Sequence, residues 1–338
     1  MSVNRQWLLK SRPEGDIKNS DFEWKESPVP SPSEGEILVR NLFLSLDPAM
    51  RGWMSETDSY IEPVVLGDVM RGGCIGEVIE SKHPEFKKGD KVFGLLGWQD
   101  YAVAGGENLP NKLPEGLPLP LTTFLSVLGL TGVTAYFGLL DVGQPKAGET
   151  VVVSTAAGAV GSIVGQIAKL KECRVVGLTG SDEKCAWIKD DLGFDAAVNY
   201  KKENVADALD KHCPNRIDVY FDNVGGEILN EALGRLAVHG RVVICGAITR
   251  YNETEPTPGP SNYINLLLKR GRMEGFVLTD YLDRYMEAVM ALAQWVTQGK
   301  LKWKEDIVDG LENAPEAIHK LFTGANTGKL IVKIAEPS

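Results

Sequence analysis

Histidine is scarce in this chain, the cysteines do not pair by pattern, and long apolar runs are missing. The 338 residues hold 4 histidines (His83, His212, His239, His319) and 5 cysteines (Cys74, Cys173, Cys185, Cys213, Cys245). An odd cysteine count with no C-x-x-C pair is not a disulfide framework and points to a reducing, cytoplasmic setting. No histidine stands at ligand spacing from a cysteine and no H-E-x-x-H helix occurs, so neither catalytic nor structural zinc is expected. The G-x-S-x-G nucleophile elbow is absent as well. Nothing approaches 18 consecutive apolar residues, so no transmembrane helix is expected. The run Trp7-Leu8-Leu9 is too short for a signal-peptide core. Positive charge is also in short supply. With 36 Lys and Arg against 46 Asp and Glu the net charge is −10, which argues against a general nucleic-acid binder and against an anionic membrane surface as partner.

Glycine, by contrast, is plentiful. There are 36 in 338 residues, above the usual share of about 7%, as expected where backbone must approach backbone or ligand closely. The 43% hydrophobic and 24% charged composition is that of an ordinary globular protein, and the length suggests two domains.

The first third alternates short apolar runs with turns. Glu36 to Leu46, Ile75 to Ile79, Lys91 to Leu96 and Trp98 to Ala104 read as strands of a small β barrel or sandwich. From Thr150 the pattern becomes βαβα. Strands are expected at Thr150–Ser154, Arg174–Leu178, Ala196–Asn199, Asp218–Phe221, Arg241–Cys245 and Met273–Leu278. Helices are expected at Ala156–Glu172, Asp182–Leu192, Val205–His212, Glu227–Leu236 and Asp280–Gln298. Near-continuous apolar strands between amphipathic helices indicate a doubly wound parallel sheet, an α/β fold. The last stretch, Lys302 to Ile334, turns β-like again and is expected to rejoin the first domain. The domains are therefore placed at 1–125 completed by 303–338, and at 126–302.

One turn carries chemistry. After Val151-Val152-Val153-Ser154-Thr155 comes Ala156-Ala157-Gly158-Ala159-Val160-Gly161, an A-x-G-x-x-G form of the dinucleotide fingerprint between a strand and a helix. Gly158 would let the backbone approach a pyrophosphate, Gly161 would let the helix lie close to the strand, and the helix N-terminus would supply donors to the phosphate charge. Ala156 stands where the first glycine is usual, so the turn must accommodate a methyl group. An NAD site places an acid about 20 residues on, at the tip of the second strand. Here that tip reads Gly177-Leu178-Thr179-Gly180-Ser181, without an acid, and Lys184 follows. Small and hydroxyl side chains beside a lysine suit a 2′-phosphate, which favours NADPH over NADH. Ser181 or Asp182 as a helix cap with Lys184 solvated is the plainer alternative, and it is compatible with either cofactor. For acid chemistry, tyrosine is the better candidate, since its hydroxyl can donate to a developing enolate oxygen. Tyr60, Tyr251 and Tyr263 lie in expected loops.

Several stretches together resemble one family: Leu44-Ser45-Leu46-Asp47-Pro48-Ala49-Met50-Arg51-Gly52, Gly97-Trp98-Gln99-Asp100-Tyr101, Gly138 to Pro145, the fingerprint itself, Asp222-Asn223-Val224-Gly225-Gly226, Arg272-Met273-Glu274-Gly275-Phe276 and Gly324 to Lys329. The chain resembles the zinc-independent, NADPH-dependent alkenal/one reductase branch of the medium-chain dehydrogenase/reductase superfamily, which includes prostaglandin and curcumin reductases. Zinc-dependent relatives carry Gly-His-Glu near the segment that here reads Gly67-Asp68-Val69-Met70-Arg71-Gly72-Gly73, and the His-Glu pair is missing.

The resemblance implies a GroES-like β domain built from both termini, a Rossmann domain, and a homodimer joined through the Rossmann sheet. It implies NADP(H) contacts from Ala157, Gly158, Ala159 and Val160. Ser181, Lys184 and Tyr200 would lie around the 2′-phosphate. Asn223, Cys245, Gly246, Ala247 and Tyr251 would follow the ribose and nicotinamide. Phe276, Val277 and Leu278 would line the nicotinamide, and Asn326 would reach the cofactor from the C-terminal segment. Family members commonly have tyrosine where Ala49 stands, and several have one at the position of Leu268. Tyr60, in Ser59-Tyr60, and Tyr251, in Tyr251-Asn252, are thus the catalytic candidates. The expected activity is NADPH-dependent reduction of the carbon–carbon double bond of enones and alkenals. A zinc-independent quinone reductase, or an NADPH-binding structural or sensor protein, are the alternatives.

Overall fold

A computed structural model describes residues 3–337 except positions 58, 115, 117, 256 and 257. The chain forms two units, Met1–Leu125 with Glu305–Ser338, and Ser126–Lys304.

The strands of the first unit are β1 (Val3–Leu9), β2 (Phe22–Pro28), β3 (Glu36–Ser45), β4 (Cys74–Ser81), β5 (Lys91–Gly94), β6 (Tyr101–Gly105) and β7 (Asn111–Lys112), joined by Glu305–Asp309 and Lys329–Lys333 from the end of the chain. The larger sheet runs Glu305–Asp309, Lys329–Lys333, β3, β4, β5, β7, with β6 also paired to β3. Its centre is β3, whose apolar residues are almost all buried. The antiparallel ribbon β1–β2 does not show in the pattern of alternation. It is fixed by aromatic packing: Trp7 faces Trp24 across the ribbon, Trp7 sets its ring edge against Phe22, and Phe22 stacks on the fully buried Trp98 at 5.2 Å. Such pairs stabilise beyond their buried area. The Trp7 indole N–H donates to the carbonyl of Leu311 at 2.9 Å, tying the two ends of the chain within this unit. The C-terminal segment is only partly β, since Ala314–Ala317 and His319–Thr323 are short helices.

The second unit contains β8 (Thr150–Val153), β9 (Arg174–Thr179), β10 (Ala196–Asn199), β11 (Ile217–Asp222), β12 (Leu236–Ile244) and β13 (Arg272–Gly275). Neighbours in this sheet are parallel and the order is β10-β9-β8-β11-β12-β13. In order of appearance that is 3-2-1-4-5-6, the doubly wound Rossmann arrangement, with its topological switch between β8 and β11. Every residue of β8 is buried, as a central parallel strand covered on both faces requires. The unit runs to Lys304. There the backbone N–H of Lys302 donates to Gln166 at 2.8 Å, and the Lys304 ammonium lies 4.7 Å from the Trp187 ring centre.

Several boundaries differ from expectation: β12 begins at Leu236 rather than Arg241, the helix before it ends at Gly234 rather than Leu236, and three further differences have a local reason. The first nucleotide-domain helix spans Gly161–Leu170 rather than starting at Ala156, because Ala156 to Val160 is spent on the turn. The strand expected at Met273–Leu278 ends at Gly275. The expected helix Asp280–Gln298 is a 3-10 segment, Leu278–Arg284, broken at Tyr281, followed by an α-helix, Tyr285–Thr297. The Tyr281 ring is held by stacking on Phe137 at 4.6 Å.

Candidate active site

The fingerprint turn sits at the C-terminal end of β8. Thr155 takes a left-handed φ of 50°, which reverses the chain. A Cβ on Gly161 would lie 2.4 Å from the Thr155 carbonyl oxygen, and one on Gly158 would lie 2.9 Å from the Thr155 methyl. A side chain at Gly161 would require the backbone to move and one at Gly158 would displace the Thr155 methyl, so the helix N-terminus is brought hard against the strand. The methyl of Ala156 is accommodated by its neighbour: Gly177 on β9 has no Cβ, and one built there would lie 2.7 Å from that of Ala156. Ala156 and Ala157 are buried, while Gly158, Ala159 and Val160 are half-buried. The cradle thus fits a pyrophosphate against backbone N–H groups and a helix N-terminus.

At the tip of β9 the Ser181 hydroxyl caps the next helix, accepting from the Lys184 backbone N–H at 3.3 Å. Capping and a phosphate contact from the same residue are compatible. The Asp182 carboxylate, at the start of that helix, is engaged elsewhere. It accepts from the Asn199 amide at 2.6 Å and pairs with Lys202, and the Lys202 hydrogen bond holds its pKa below the ordinary carboxylate value. Tyr200 packs over the tip, where a Cβ on Gly180 would come within 2.9 Å of its phenol oxygen and 3.3 Å of Cε of Lys201. Ser181, Lys184, Tyr200 and Lys201 are therefore grouped around one small region whose nearest carboxylate, that of Asp182, is already paired.

Between β8 and β11 the polar groups interlock. The Asn223 amide donates to the Ser154 carbonyl at 2.7 Å, and the Asn223 backbone N–H donates to the Ser154 hydroxyl at 2.8 Å. The loop after β12 is tied to the same place: Ile248 N–H donates to the Asn223 carbonyl at 3.3 Å and the Thr249 hydroxyl to the Val224 carbonyl at 2.6 Å. Cys245 sits at the end of β12, and burial pushes its thiol up to about 12. The thiol is therefore not an ionised nucleophile at neutral pH. Tyr251 folds back onto this loop, its phenol oxygen 3.4 Å from the Ala247 backbone N–H and close above Gly246. Phe276 lies beyond β13, its ring set against Gly138, where a Cβ would come within 2.4 Å of it. Val277 is extended and Leu278 opens the 3-10 segment.

In the first unit, Tyr60 lies on a bend and is 56% exposed. Asn326 donates to the Gly328 carbonyl at 3.0 Å. Sequence reasoning passed over Ser154, Gly177, Thr249 and Asp222. The signal for Asp222 was an acid directly after the apolar run Val219 to Phe221.

Among the described residues no group of three or more His, Cys, Asp or Glu side chains is placed to hold a metal ion. No helix among them is long and apolar enough to cross a membrane.

A Rossmann sheet with a phosphate cradle at its switch point, in a chain whose β unit is built from both termini, defines an oxidoreductase of the dehydrogenase/reductase type. Residues 5–111 match the family model described as the N-terminal domain of oxidoreductase, and residues 159–295 match that of zinc-binding dehydrogenase. The chain is 45% identical over 337 residues to the NADPH-dependent curcumin reductase of Escherichia coli, covering 98% of this chain and 97% of the relative. It is 44% identical over 333 residues to prostaglandin reductase 1 of Bos taurus, covering 97% and 98%. The crystal structure of CurA from Vibrio vulnificus in complex with NADPH superposes with a TM-score of 0.93 at 46% identity, covering 98% of this chain and 100% of that one. The chain belongs to the medium-chain dehydrogenase/reductase superfamily, in the NADPH-dependent branch of the curcumin, prostaglandin and alkenal reductases. Its cofactor is NADP(H).

The close approach at the cradle makes a testable demand. Gly161→Ala should destabilise the protein by about 1–3 kcal/mol through overpacking against backbone and weaken NADPH binding at least about tenfold. Urea unfolding and cofactor fluorescence measure the two. A variant with wild-type midpoint and affinity would show that the contact is not tight.

Proposed function

We propose that the protein reduces the carbon–carbon double bond of α,β-unsaturated ketones and aldehydes at the expense of NADPH. The observation that carries this reading is the full-length likeness to NADPH-dependent reductases, taken with a cradle at the switch point that suits the cofactor. NADPH, when bound, supplies a hydride. The chain's own residues bind and orient. Ala157 to Val160 face the pyrophosphate, Ser181, Lys184 and Tyr200 the 2′-phosphate, and Asn223 with Cys245 to Ala247 the ribose and nicotinamide. Phe276, Val277 and Leu278 cover the ring, and Asn326 is assigned to the cofactor as well. Hydride addition at the β-carbon places negative charge on the substrate's carbonyl oxygen. A phenol O–H can donate to that oxygen, and we assign this role to Tyr60 and Tyr251. The α-carbon then takes a proton from solvent or an acid.

NADPH oxidation with a panel of enones, alkenals and saturated aldehydes tests the activity, with product analysis to locate the reduced bond. Loss of the double bond alone is the expected result, and reduction of only the carbonyl would overturn the reading. Tyr60→Phe and Tyr251→Phe should each lower kcat by roughly 100-fold, a usual size for a general acid. Whichever substitution leaves turnover unchanged removes its tyrosine from the mechanism.

The cofactor preference gives a second test. Removing a cation from a phosphate contact costs a charge-assisted hydrogen bond. Lys184→Ala is therefore expected to raise the Kd for NADPH about tenfold and leave that for NADH unaltered. Equal changes for both cofactors would place the 2′-phosphate elsewhere.

We also propose a homodimer working in the cytoplasm. The five cysteines are all unpaired, in keeping with a reducing compartment. β13 is an outer strand of the parallel sheet and all four of its residues are exposed. Leu267 and Leu268 beside it, and Met286 and Met290 in the same unit, are also exposed, at 60 to 70%. An open edge beside exposed apolar residues is a site for pairing. Light scattering should give twice 36.8 kDa, with Leu267→Asp/Met273→Asp running as monomer. A monomeric wild-type protein would refute the assignment.

A further inference from the structure

The carboxylate of Asp222 lies at the switch point and has no place in the reaction described above. Asp222 is 1% exposed and is the one buried acid among the described residues of its unit. One of its oxygens, Oδ1, gathers four donors: the Tyr220 phenol at 2.9 Å, the backbone N–H groups of Val224 and Gly225 at 3.0 Å each, and the Ser154 hydroxyl at 3.3 Å. The other oxygen, Oδ2, is buried without a hydrogen-bond partner. No cation pairs with the group among the described residues. The main-chain carbonyl of the same residue accepts from Cys245 N–H at 2.9 Å and Gly246 N–H at 3.1 Å.

One residue thus reaches the C-terminal ends of three adjacent strands. Ser154 follows β8, Val224 and Gly225 follow β11, and Cys245 and Gly246 follow β12. Gly225 is left-handed, φ 74°, so that the turn wraps its N–H groups around the carboxylate as a nest. A buried, unpaired carboxylate is costly. Donors on a charged acceptor make stronger hydrogen bonds than on a neutral one, and they offset that cost. An amide of the same size would lose both the charge and the excess of acceptors, and would put an N–H2 where no acceptor stands.

We infer that Asp222 is a positioning residue for the nicotinamide half of the cofactor, holding Asn223 and the Gly246 loop in register across the three strand ends. This rests on the proposed placement of the cofactor along those ends, with its 2′-phosphate at the tip of β9. That tip is built by Ser181, Lys184 and Tyr200, and none of the Asp222 hydrogen bonds described above reaches it. Asp222 therefore acts on one half of the cofactor and not on the other.

Adenosine 2′,5′-bisphosphate carries the 2′-phosphate half alone and serves as the probe. Titration calorimetry with NADPH and with this bisphosphate, on wild type, Asp222→Asn and Asp222→Ala, separates the two halves, with circular dichroism as the check on folding. The expected result is a Kd for NADPH raised about tenfold in Asp222→Asn and further in Asp222→Ala. The Kd for the bisphosphate should stay within about twofold of wild type. Parallel loss for both ligands, no loss for either, or failure of Asp222→Asn to fold would each make Asp222 merely structural and overturn the inference. If wild type does not bind the bisphosphate, the proposed phosphate site fails and the inference falls with it. If all three proteins bind both ligands alike, the Asp222 inference falls alone.

Discussion

The approach of the Gly161 backbone to the carbonyl of Thr155 is the constraint on which the nucleotide unit is arranged. It sets how close the helix Gly161–Leu170 lies to β8, and so whether the helix N-terminus faces a pyrophosphate or stops short of it. The consequence spreads sideways through the sheet. Because the turn begins with Ala156 instead of glycine, its methyl must go somewhere, and β9 supplies the space by carrying Gly177 opposite, where a Cβ would lie 2.7 Å away. Glycine enrichment in this chain is in part a record of such reciprocal clearances. Gly161 admits a strand, Gly177 a methyl, Gly180 the phenol of Tyr200, and Gly138 the ring of Phe276. Each substitutes absence of a side chain for distance, at the entropic cost that glycine carries in the unfolded chain.

Electrostatics at the sheet's C-terminal edge follow the same economy. The net charge of −10 disfavours an anionic ligand in general, yet the fingerprint turn offers a helix N-terminus and the tip of β9 carries Lys184 and Lys201. The acid nearest the tip of β9, Asp182, is taken up by Asn199 and Lys202. The acid at the switch point, Asp222, is surrounded by four donors, although burial still raises its pKa above the ordinary carboxylate value. Neither acid is left free to repel a phosphate.

Much of the fold was legible because parallel strands buried on both faces read as unbroken apolar runs, and Val151-Val152-Val153 and Val175 to Leu178 do so. Where composition is ambiguous the reading slipped. Ala156 to Val160 has the residues of a good helix and forms a turn, since Thr155 and the close approach at Gly161 leave no room to start earlier. The break at Tyr281 depends on a ring 144 positions earlier in the chain, Phe137, which no local window contains. The ribbon β1–β2 is held by indoles facing across it rather than by alternation of apolar and polar residues. Asp222 escaped notice for a related reason. A polar residue at a strand end is unremarkable until donors 68 positions away, at Ser154, are seen to converge on it.

The two units meet their demands by different means, and that bears on how the activity can vary. In the nucleotide unit Gly161 meets main chain, at Thr155 and Ala156, while a Cβ on Gly177 would meet the packed side chains of Ile188, Ala156 and Phe194, so a side chain at either position strains the sheet and its cover. In the β unit the segment carrying Tyr60 is held at its neck by side chains. Arg12 donates to the carbonyls of Met54 and Val64, at 3.1 and 2.6 Å, and Arg71 donates to that of Glu62 at 2.8 Å. Charged donors on carbonyls fix the ends of the loop and leave its tip, with the exposed Tyr60, under little packing constraint. Substitution there alters what the loop presents without disturbing the core of the unit. Ala49, where the relatives' pattern has tyrosine, begins a short helix, Met50–Trp53, whose buried residues are Met50 and Arg51. Loss of a ring at that half-buried position leaves both of those side chains packed. The physics therefore lets side chains change in this loop of the β unit without straining it, while the fingerprint turn stays pinned by the close approach at Gly161.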